Sequence, residues 1–245
     1  MPREHHKWHS PSLGQEKELL VYGHYGRPLL VFPSARGRFF EYEDFKMVET
    51  LAPFVDAGKI KIFCPDGNDW ESWFNYDVHP SWRARRHNDY QSYIVNEFVP
   101  FVRTHCRSAD VPLVATGSSF GAYHALNFAL KFPWLFNHVI ALSGNYDVRE
   151  RVYGYYDDEI YFNSPKDYVP NLHDHATLEQ IRRLKIVLAV AQGMWEGNCI
   201  DGTLEMARIL DAKAIPHHLS LWGHEWPHDW STWRAMIAHY ISTME

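Results

Sequence analysis

The sequence has few cysteines, no long apolar run and no excess of positive charge, and each shortage excludes a class of protein. Three cysteines in 245 residues are too few, and odd in number, for a disulfide framework. The N-terminus is polar, without the apolar stretch of a signal peptide, and no apolar run long enough to span a membrane follows. The net charge of -6 argues against a nucleic-acid-binding protein. We therefore expect a cytoplasmic protein with neither a membrane nor a nucleic acid as partner.

What the chain does contain is typical of one α/β domain that spans residues 1–245. Hydrophobic residues make up 46% and charged residues 22%, and no repeat, linker or low-complexity tract divides the chain. Short, wholly apolar runs alternate with helical patterns. This alternation predicts a doubly wound, mostly parallel sheet with helices on both faces. The sequence leaves formation of a homo-oligomer open.

Three local features give more detailed expectations. Glu18–Tyr22 and Leu29–Phe32 are predicted to be neighbouring strands joined by a glycine-containing turn. The pattern over Trp82–Cys106 predicts a long helix that breaks or kinks near Pro100. A cluster of histidines near the N-terminus, in contrast, is expected to lie in a disordered segment or to bind metal adventitiously: His5, His6 and His9.

Residues 117–121 read Gly-Ser-Ser-Phe-Gly, which is a G-x-S-x-G pentapeptide. A short apolar strand precedes it and a helical pattern, residues 122–131, follows it, as a nucleophile elbow requires. In such an elbow the central serine, here Ser119, projects from a sharp turn at the amino end of a helix. Backbone N–H groups and the helix dipole favour developing negative charge there. Ser119 is therefore the predicted nucleophile.

A serine nucleophile needs a base and an acid that orients the base, and in this fold they follow the serine in the order acid, then histidine. The late apolar strand Ile186–Ala191 is followed by Glu196 as its first carboxylate and by Asp201 as the next. After the last predicted strand, His224 lies close to the strand end and His228 stands just before the closing helix. The residues alone favour Glu196 and leave both histidines as candidates for the base.

The order of elements, the Gly-Ser-Ser-Phe-Gly elbow and the ending His-Asp-Trp-Ser-Thr-Trp-Arg at residues 228–234 resemble the putative esterase (esterase D/antigen 85-like) family of α/β-hydrolases. The resemblance runs from about Leu19 to the end of the chain. Because the family typically ends with a histidine followed by W-x-x-W, it implies that His228 is the catalytic histidine and His224 the alternative. The family usually carries aspartate where Glu196 stands, so Asp201 stays a competitor.

The resemblance also implies an oxyanion hole and a substrate pocket. Residues 32–39 look like the family's oxyanion loop, which would add the N–H group of Ala35 or Ser34 to that of Phe120. Residues 69–73 look like a loop beside the pocket. The tyrosine-rich segment 145–175 is expected to run over the pocket mouth as a loop or lid. The candidate pocket residues are Trp70, Trp73 and Tyr146.

Together these features predict a serine carboxylesterase that cleaves small-molecule acyl esters through an acyl-enzyme intermediate. Ser119 attacks the ester, His228 moves the proton, and Glu196 orients His228. The chemistry needs no cofactor and no metal, and Pro227 argues against a histidine metal pair inside a helix. Two alternatives remain: an acyltransferase that uses the same three residues, and a non-catalytic α/β-hydrolase-like binding protein.

Overall fold

The structure, a computed structural model, describes residues 1–244 and has an eight-stranded sheet with helices on both faces. The strands are β1 (Arg3–Ser10), β2 (Gln15–Tyr22), β3 (Arg27–Phe32), β4 (Ile60–Pro65), β5 (Leu113–Ser118), β6 (Phe136–Leu142), β7 (Lys185–Val190) and β8 (His217–Leu221). The helices are α1 (Glu41–Asp44), α2 (Met47–Asp56), α3 (Pro80–Tyr93), α4 (Val99–His105), α5 (Phe120–Lys131), α6 (Asp158–Tyr161), α7 (Pro165–Tyr168), α8 (His175–Ile181), α9 (Gly197–Ala212) and α10 (Trp230–Thr243).

The strands lie in the order β1-β2-β4-β3-β5-β6-β7-β8. Strand β2 pairs with both of its neighbours in antiparallel register, and the pairs from β4 to β8 are all parallel. One face is covered by α3, α4, α5 and α9, and the other by α1, α2 and α10. This arrangement is the doubly wound, mostly parallel sheet of an α/β-hydrolase, as the alternation of apolar runs and helical patterns predicted.

The predicted pairing of the second and third strands is wrong, because β4 lies between β2 and β3. Every residue of β4 is buried, so this strand needs a neighbour on each edge to satisfy its backbone groups. The connection from β2 to β3 therefore crosses the start of β4. At Gly26, where φ is +117°, an added Cβ would lie 2.5 Å from the backbone of Ile60. Only glycine permits so close an approach.

The structure also tests the predictions for the N-terminal histidines and for the helix break near Pro100. The N-terminal histidines lie in β1, where exposed and half-buried residues alternate, so the expectation of a disordered segment is wrong. The predicted break near Pro100 takes the form of a π-helix, Ile94–Phe98, between α3 and α4. Proline has no N–H group to donate into the preceding turn, which accounts for the wider turn just before it.

None of the helices in residues 1–244 is both long and apolar enough to cross a membrane.

Candidate active site

Ser119 occupies a strained turn between β5 and α5. Its backbone adopts φ of 56°, a left-handed conformation that is unfavourable for any residue with a side chain. The turn closes tightly because Gly117 and Gly121 have no side chains. A Cβ at Gly117 would lie 2.3 Å from the backbone of Gly121. The glycines of the pentapeptide are therefore required by packing, as in a nucleophile elbow.

The elbow lies at the carboxyl edge of the sheet, where loops from several parallel strands meet. The Ser119 N–H group donates to the carbonyl of Leu142, at the end of β6, over 2.8 Å. A Cβ at Gly121 would approach the carbonyl oxygens of Phe32 and Pro33 to 2.5 and 2.6 Å. The loop after β3 is thus packed directly against the start of α5, so the two predicted halves of the oxyanion hole are neighbours.

His228 lies within hydrogen-bonding distance of the serine. Its Nε2 is 3.0 Å from Ser119 Oγ, and its Nδ1 is 3.0 Å from Oε2 of Glu196. With Nδ1–H donated to the carboxylate, Nε2 is left as an acceptor for the serine proton. This tautomer is the one that general-base catalysis requires.

The loop that carries His228 is attached to the loop after β7 by backbone contacts. The His228 N–H group donates to the carbonyl of Met194 over 2.9 Å, and the Gly193 N–H group donates to the carbonyl of Trp226 over 3.1 Å. A Cβ at Gly193 would lie 2.2 Å from that same carbonyl oxygen. Trp233 of α10 meets the His228 ring edge-on at 4.9 Å. These contacts restrict the imidazole to one position.

Glu196 is fully buried and its two oxygens have different partners. Oε2 accepts from His228, while Oε1 accepts a 2.6 Å hydrogen bond from the hydroxyl of Ser143. Ser143 Oγ in turn accepts from Nε1 of Trp233 over 3.2 Å. Ser143 directly follows β6 and was missed by the sequence reasoning, because nothing local marks a serine 53 residues away from the carboxylate that it contacts.

The two alternative residues lie elsewhere. Nδ1 of His224 donates to the carbonyl of Gln192 over 3.0 Å, and the side chain is exposed. Asp201 is exposed on α9, more than one turn beyond Glu196. The structure therefore brings together Ser119, His228 and Glu196, and it places neither alternative in hydrogen-bonding contact with them.

Hydrogen bonds in the loop after β3 distinguish Ser34 from Ala35 as the second candidate oxyanion donor. The Ser34 N–H group donates to Oε1 of Glu41 over 2.9 Å, and the Ser34 hydroxyl donates to Oε2 of the same carboxylate. The N–H groups of Ala35 and Phe120 have no acceptor among residues 1–244. Ala35 rather than Ser34 therefore has an N–H group free for an oxyanion. Burial raises the pKa of the Glu41 carboxyl to about 7.

A buried pair of hydrogen-bonded side chains attaches the same loop to α5. Oδ2 of Asp69 accepts from the N–H group of Arg36 over 3.0 Å, and Oδ1 lies 3.0 Å from Nε2 of His124. Asp69 and His124 are both buried. Because Arg36 follows Ala35 and His124 lies on the elbow helix, this pair determines how the loop sits relative to Ser119. Sequence reasoning did not identify His124, whose position in the middle of an apolar helix resembles that of a core residue.

Two of the three candidate pocket residues are in the wrong place to line a pocket. Trp73 and Tyr146 are fully buried in the hydrophobic core. Tyr146 packs against Gly144, where a Cβ would meet its ring at 2.6 Å. Trp70 is 57% exposed, and its Nε1–H donates to the carbonyl of Arg36. The ring that lies next to the elbow is that of Phe74, which meets Phe120 edge-on at 5.0 Å.

Two groups of three side chains in residues 1–244 have the spacing of metal ligands. One is Glu4, His6 and His105, and the other is Glu196, Cys199 and His228. In the second group burial raises the pKa of the Cys199 thiol to about 12, which disfavours the thiolate that binds metal. Both oxygens of Glu196 and both ring nitrogens of His228 already have hydrogen-bond partners. This second group therefore fits a proton-transfer site better than a metal site.

A cavity of about 950 Å³ lies at the opposite edge of the sheet, around the amino ends of β3 and β4. The residues that line it include Lys61, His105 and Cys106. Burial raises the pKa of the Cys106 thiol, so this sulfur is a poor nucleophile. The size of a cavity does not by itself identify a reactive site.

The sheet order, the strand–serine–helix elbow and the histidine beyond the last strand define an α/β-hydrolase. The chain belongs to the family described as Putative esterase, whose profile matches residues 55–243. It is thus an enzyme that hydrolyses esters, and the family resemblance seen in the sequence is confirmed. None of the curated proteins compared with the chain matches it.

Solved structures similar to the chain share its fold at low sequence identity. A ferulic acid esterase is 16% identical, with a TM-score of 0.77 over 99% of this chain and 97% of the other. The Staphylococcus aureus fluorophosphonate-binding serine hydrolase F is 17% identical, with a TM-score of 0.71 over 99% and 98%. An S-formylglutathione hydrolase from Agrobacterium tumefaciens is 16% identical, with a TM-score of 0.73 over 98% and 93%.

Proposed function

We propose that the protein is a serine carboxylesterase in which Ser119, His228 and Glu196 act as nucleophile, base and orienting acid on a small-molecule ester. The observation that carries this proposal is the pair of 3.0 Å distances that join the serine, the imidazole and the carboxylate. The unpaired N–H groups of Ala35 and Phe120 support it, since an oxyanion needs such donors. The family match supports ester hydrolysis as the reaction.

The reaction follows from the positions of these groups. Ser119 Oγ attacks the carbonyl carbon while its proton passes to Nε2 of His228, and negative charge develops on the carbonyl oxygen. The N–H groups of Phe120 and Ala35 stabilise that charge. The C–O bond to the alcohol then breaks, and the alcohol leaves with the proton from His228, so that an acyl group remains on Ser119. Water, deprotonated by His228, attacks the acyl-enzyme; the bond from the acyl carbon to Ser119 Oγ then breaks, His228 returns the proton to Oγ, and the acid is released.

The proposal is tested by labelling with a fluorophosphonate, which phosphonylates an activated serine. We expect mass spectrometry to locate the adduct on Ser119, and Ser119→Ala to lose both labelling and hydrolysis of short p-nitrophenyl esters. Ser118→Ala is the matched control, because it makes the same change one residue away and should still be labelled. Full ester hydrolysis by Ser119→Ala would overturn the proposal.

The same assay separates hydrolysis from acyl transfer. An added alcohol competes with water for the acyl-enzyme, and the acid and ester products can be quantified together. We expect the acid to remain the main product at millimolar alcohol. A dominant transfer product would make the protein an acyltransferase that uses the same three residues, and an unlabelled protein without activity would make it a binding protein.

A further inference from the structure

Two arginine side chains and a group of aromatic rings lie beside the elbow; we refer to Arg36, Arg151, Phe74 and Tyr76 as the arginine rim. The guanidinium carbon of Arg36 is 5.1 Å from the centre of the Phe74 ring, and that of Arg151 is 4.5 Å from it. Nη1 of Arg151 also donates to the hydroxyl of Tyr76 over 3.2 Å. Two positive charges therefore share one aromatic ring.

The arginine rim adjoins the reacting groups. Phe74 meets the ring of Phe120, the residue after Ser119, edge-on at 5.0 Å. The guanidinium carbon of Arg151 is 5.9 Å from the Phe120 ring, and Arg36 directly follows Ala35. Arg151 thus contacts the ring of the residue after Ser119 directly, and Arg36 is joined to that ring through Phe74.

Neither charge of the rim is neutralised by a carboxylate within residues 1–244, although the chain carries a net charge of -6. Glu150, next to Arg151 in the chain, and Asp77, next to Tyr76, are exposed and form no ion pair with Arg36 or Arg151. Arg149 differs, because it is paired with Asp147 and Asp167 at 2.6 and 3.1 Å. The charge of Arg149 is thus neutralised by two aspartates of the chain, whereas the charge of Arg151 is available to a bound anion.

The backbones of both rim arginines are held in place by buried groups. Arg83 is only 2% exposed, and its guanidinium donates to the carbonyl of Arg151 over 2.6 Å and to that of Val78. This contact anchors the 3-10 turn Arg149–Arg151 of segment 145–175. The backbone N–H group of Arg36 is held by Asp69. With the backbone fixed and the guanidinium groups against the Phe74 ring, each side chain loses less conformational freedom when it binds an anion.

We propose that Arg36 and Arg151 form an anion-binding subsite, so that the enzyme acts on esters that carry a carboxylate or phosphate close to the scissile bond. This inference rests on the proposed serine esterase function and adds a substrate class to it. A guanidinium donates paired N–H groups that match a carboxylate or phosphate. One N–H group on Nη1 of Arg151 is used by the Tyr76 hydroxyl, and the other guanidinium nitrogens of the two arginines have no acceptor within residues 1–244. Phe74 is itself only 8% exposed, so its role is to support the two guanidinium groups rather than to contact the substrate.

The test compares kcat/KM for matched esters with and without a charge. Methylumbelliferyl butyrate and methylumbelliferyl hemisuccinate differ by a carboxylate on the acyl side. Phenyl acetate and para-acetoxybenzoate differ by a carboxylate on the alcohol side. We expect the wild type to favour the anionic member of at least one pair. Raising the salt concentration to about 1 M, where the Debye length is about 3 Å, should reduce the ratio of kcat/KM for the anionic ester to kcat/KM for the neutral one.

Variants assign the preference to the rim. Arg151→Gln and Arg36→Gln should each lower the ratio of anionic to neutral kcat/KM about tenfold, as expected for loss of one charge-assisted contact. Arg151→Lys keeps the charge and should recover most of the ratio, while Arg149→Gln, at an arginine already paired with aspartates, should leave it unchanged. The ratio cancels any general loss of folded protein.

The outcomes separate this inference from the proposed function. No anionic preference in either pair, or equal ratios in the wild type and both glutamine variants, would overturn the subsite while Ser119-dependent hydrolysis stands. A preference that depends only on Arg149 would overturn it as well. If Ser119→Ala hydrolyses all four esters at the wild-type rate, the proposed function fails instead.

Discussion

The substitution Glu196→Gln tests how the site orients its histidine, and the structure defines what it changes. Glu196 is fully buried, with one oxygen toward His228 and the other toward the Ser143 hydroxyl. Glutamine has one oxygen and one NH₂ group for these two partners. If the NH₂ group faces His228, it forces the tautomer that carries a proton on Nε2, which cannot accept from Ser119. If it faces Ser143 instead, that hydroxyl must lose its acceptor.

The expected loss of activity follows from the charge that disappears. In the transition state His228 is an imidazolium beside the carboxylate, and two unit charges about 4 Å apart attract by about 4 kcal/mol at an effective dielectric constant of about 20. Losing that attraction slows acylation about 10³-fold. A wrong tautomer adds to the loss, which reached about 10⁴-fold in a serine protease with the corresponding change. We therefore expect kcat/KM to fall between about 10³- and 10⁴-fold.

The assay is steady-state turnover of one p-nitrophenyl ester, with the melting temperature measured in parallel. Asp201→Asn is the matched control, because it makes the same acid-to-amide change at an exposed position of the same helix. It should retain turnover within about twofold, as is usual for surface substitutions. A severe loss in Asp201→Asn with nearly normal turnover in Glu196→Gln would refute the reasoning and move the acid to Asp201.

Two further predictions concern the loop that carries Ala35. Asp69→Ala removes the acceptor for the Arg36 N–H group and should lower kcat by about 10–100-fold, up to the cost of one oxyanion donor; Asp69→Asn should lose less, since His124 can change tautomer, and equal kcat in both variants would contradict the anchoring role. Burial raises the pKa of the Glu41 carboxyl from its ordinary value of 4.5 to about 7, so the folded state binds the proton more tightly and stability falls as the pH rises through this range. Between pH 5 and pH 8, by thermal denaturation, the wild type should therefore lose stability relative to Glu41→Gln, and a constant difference would contradict the raised pKa.

Much of the fold and the chemistry of the site can be predicted from local sequence patterns. The alternation of apolar runs with helical patterns predicted the sheet, because strand and helix periodicities are properties of neighbouring residues. The pentapeptide at residues 117–121 identified the elbow for the same reason. The candidates for base and acid followed from chain order, since loops after parallel strands meet at one edge of the sheet. The structure places Ser119, His228 and Glu196 together there.

The remaining features depend on contacts between residues far apart in the chain. The sequence placed β2 beside β3, but the burial of β4 on both edges decided that pairing. Trp73 and Tyr146 are aromatic residues of the kind that often line pockets, yet both are buried in the core of the folded protein.

The polar contacts that support the site also join residues far apart in the chain, so local sequence patterns do not predict them. Ser143 reaches Glu196 across 53 residues, and His124 reaches Asp69 across 55. A local pattern indicates which residues can pack or form hydrogen bonds. The partner of each residue is decided only by the complete fold. The sequence by itself thus determined the type of fold and the candidate reacting groups, and the tertiary structure decided their supporting contacts, the free oxyanion donor and the unpaired arginines beside it.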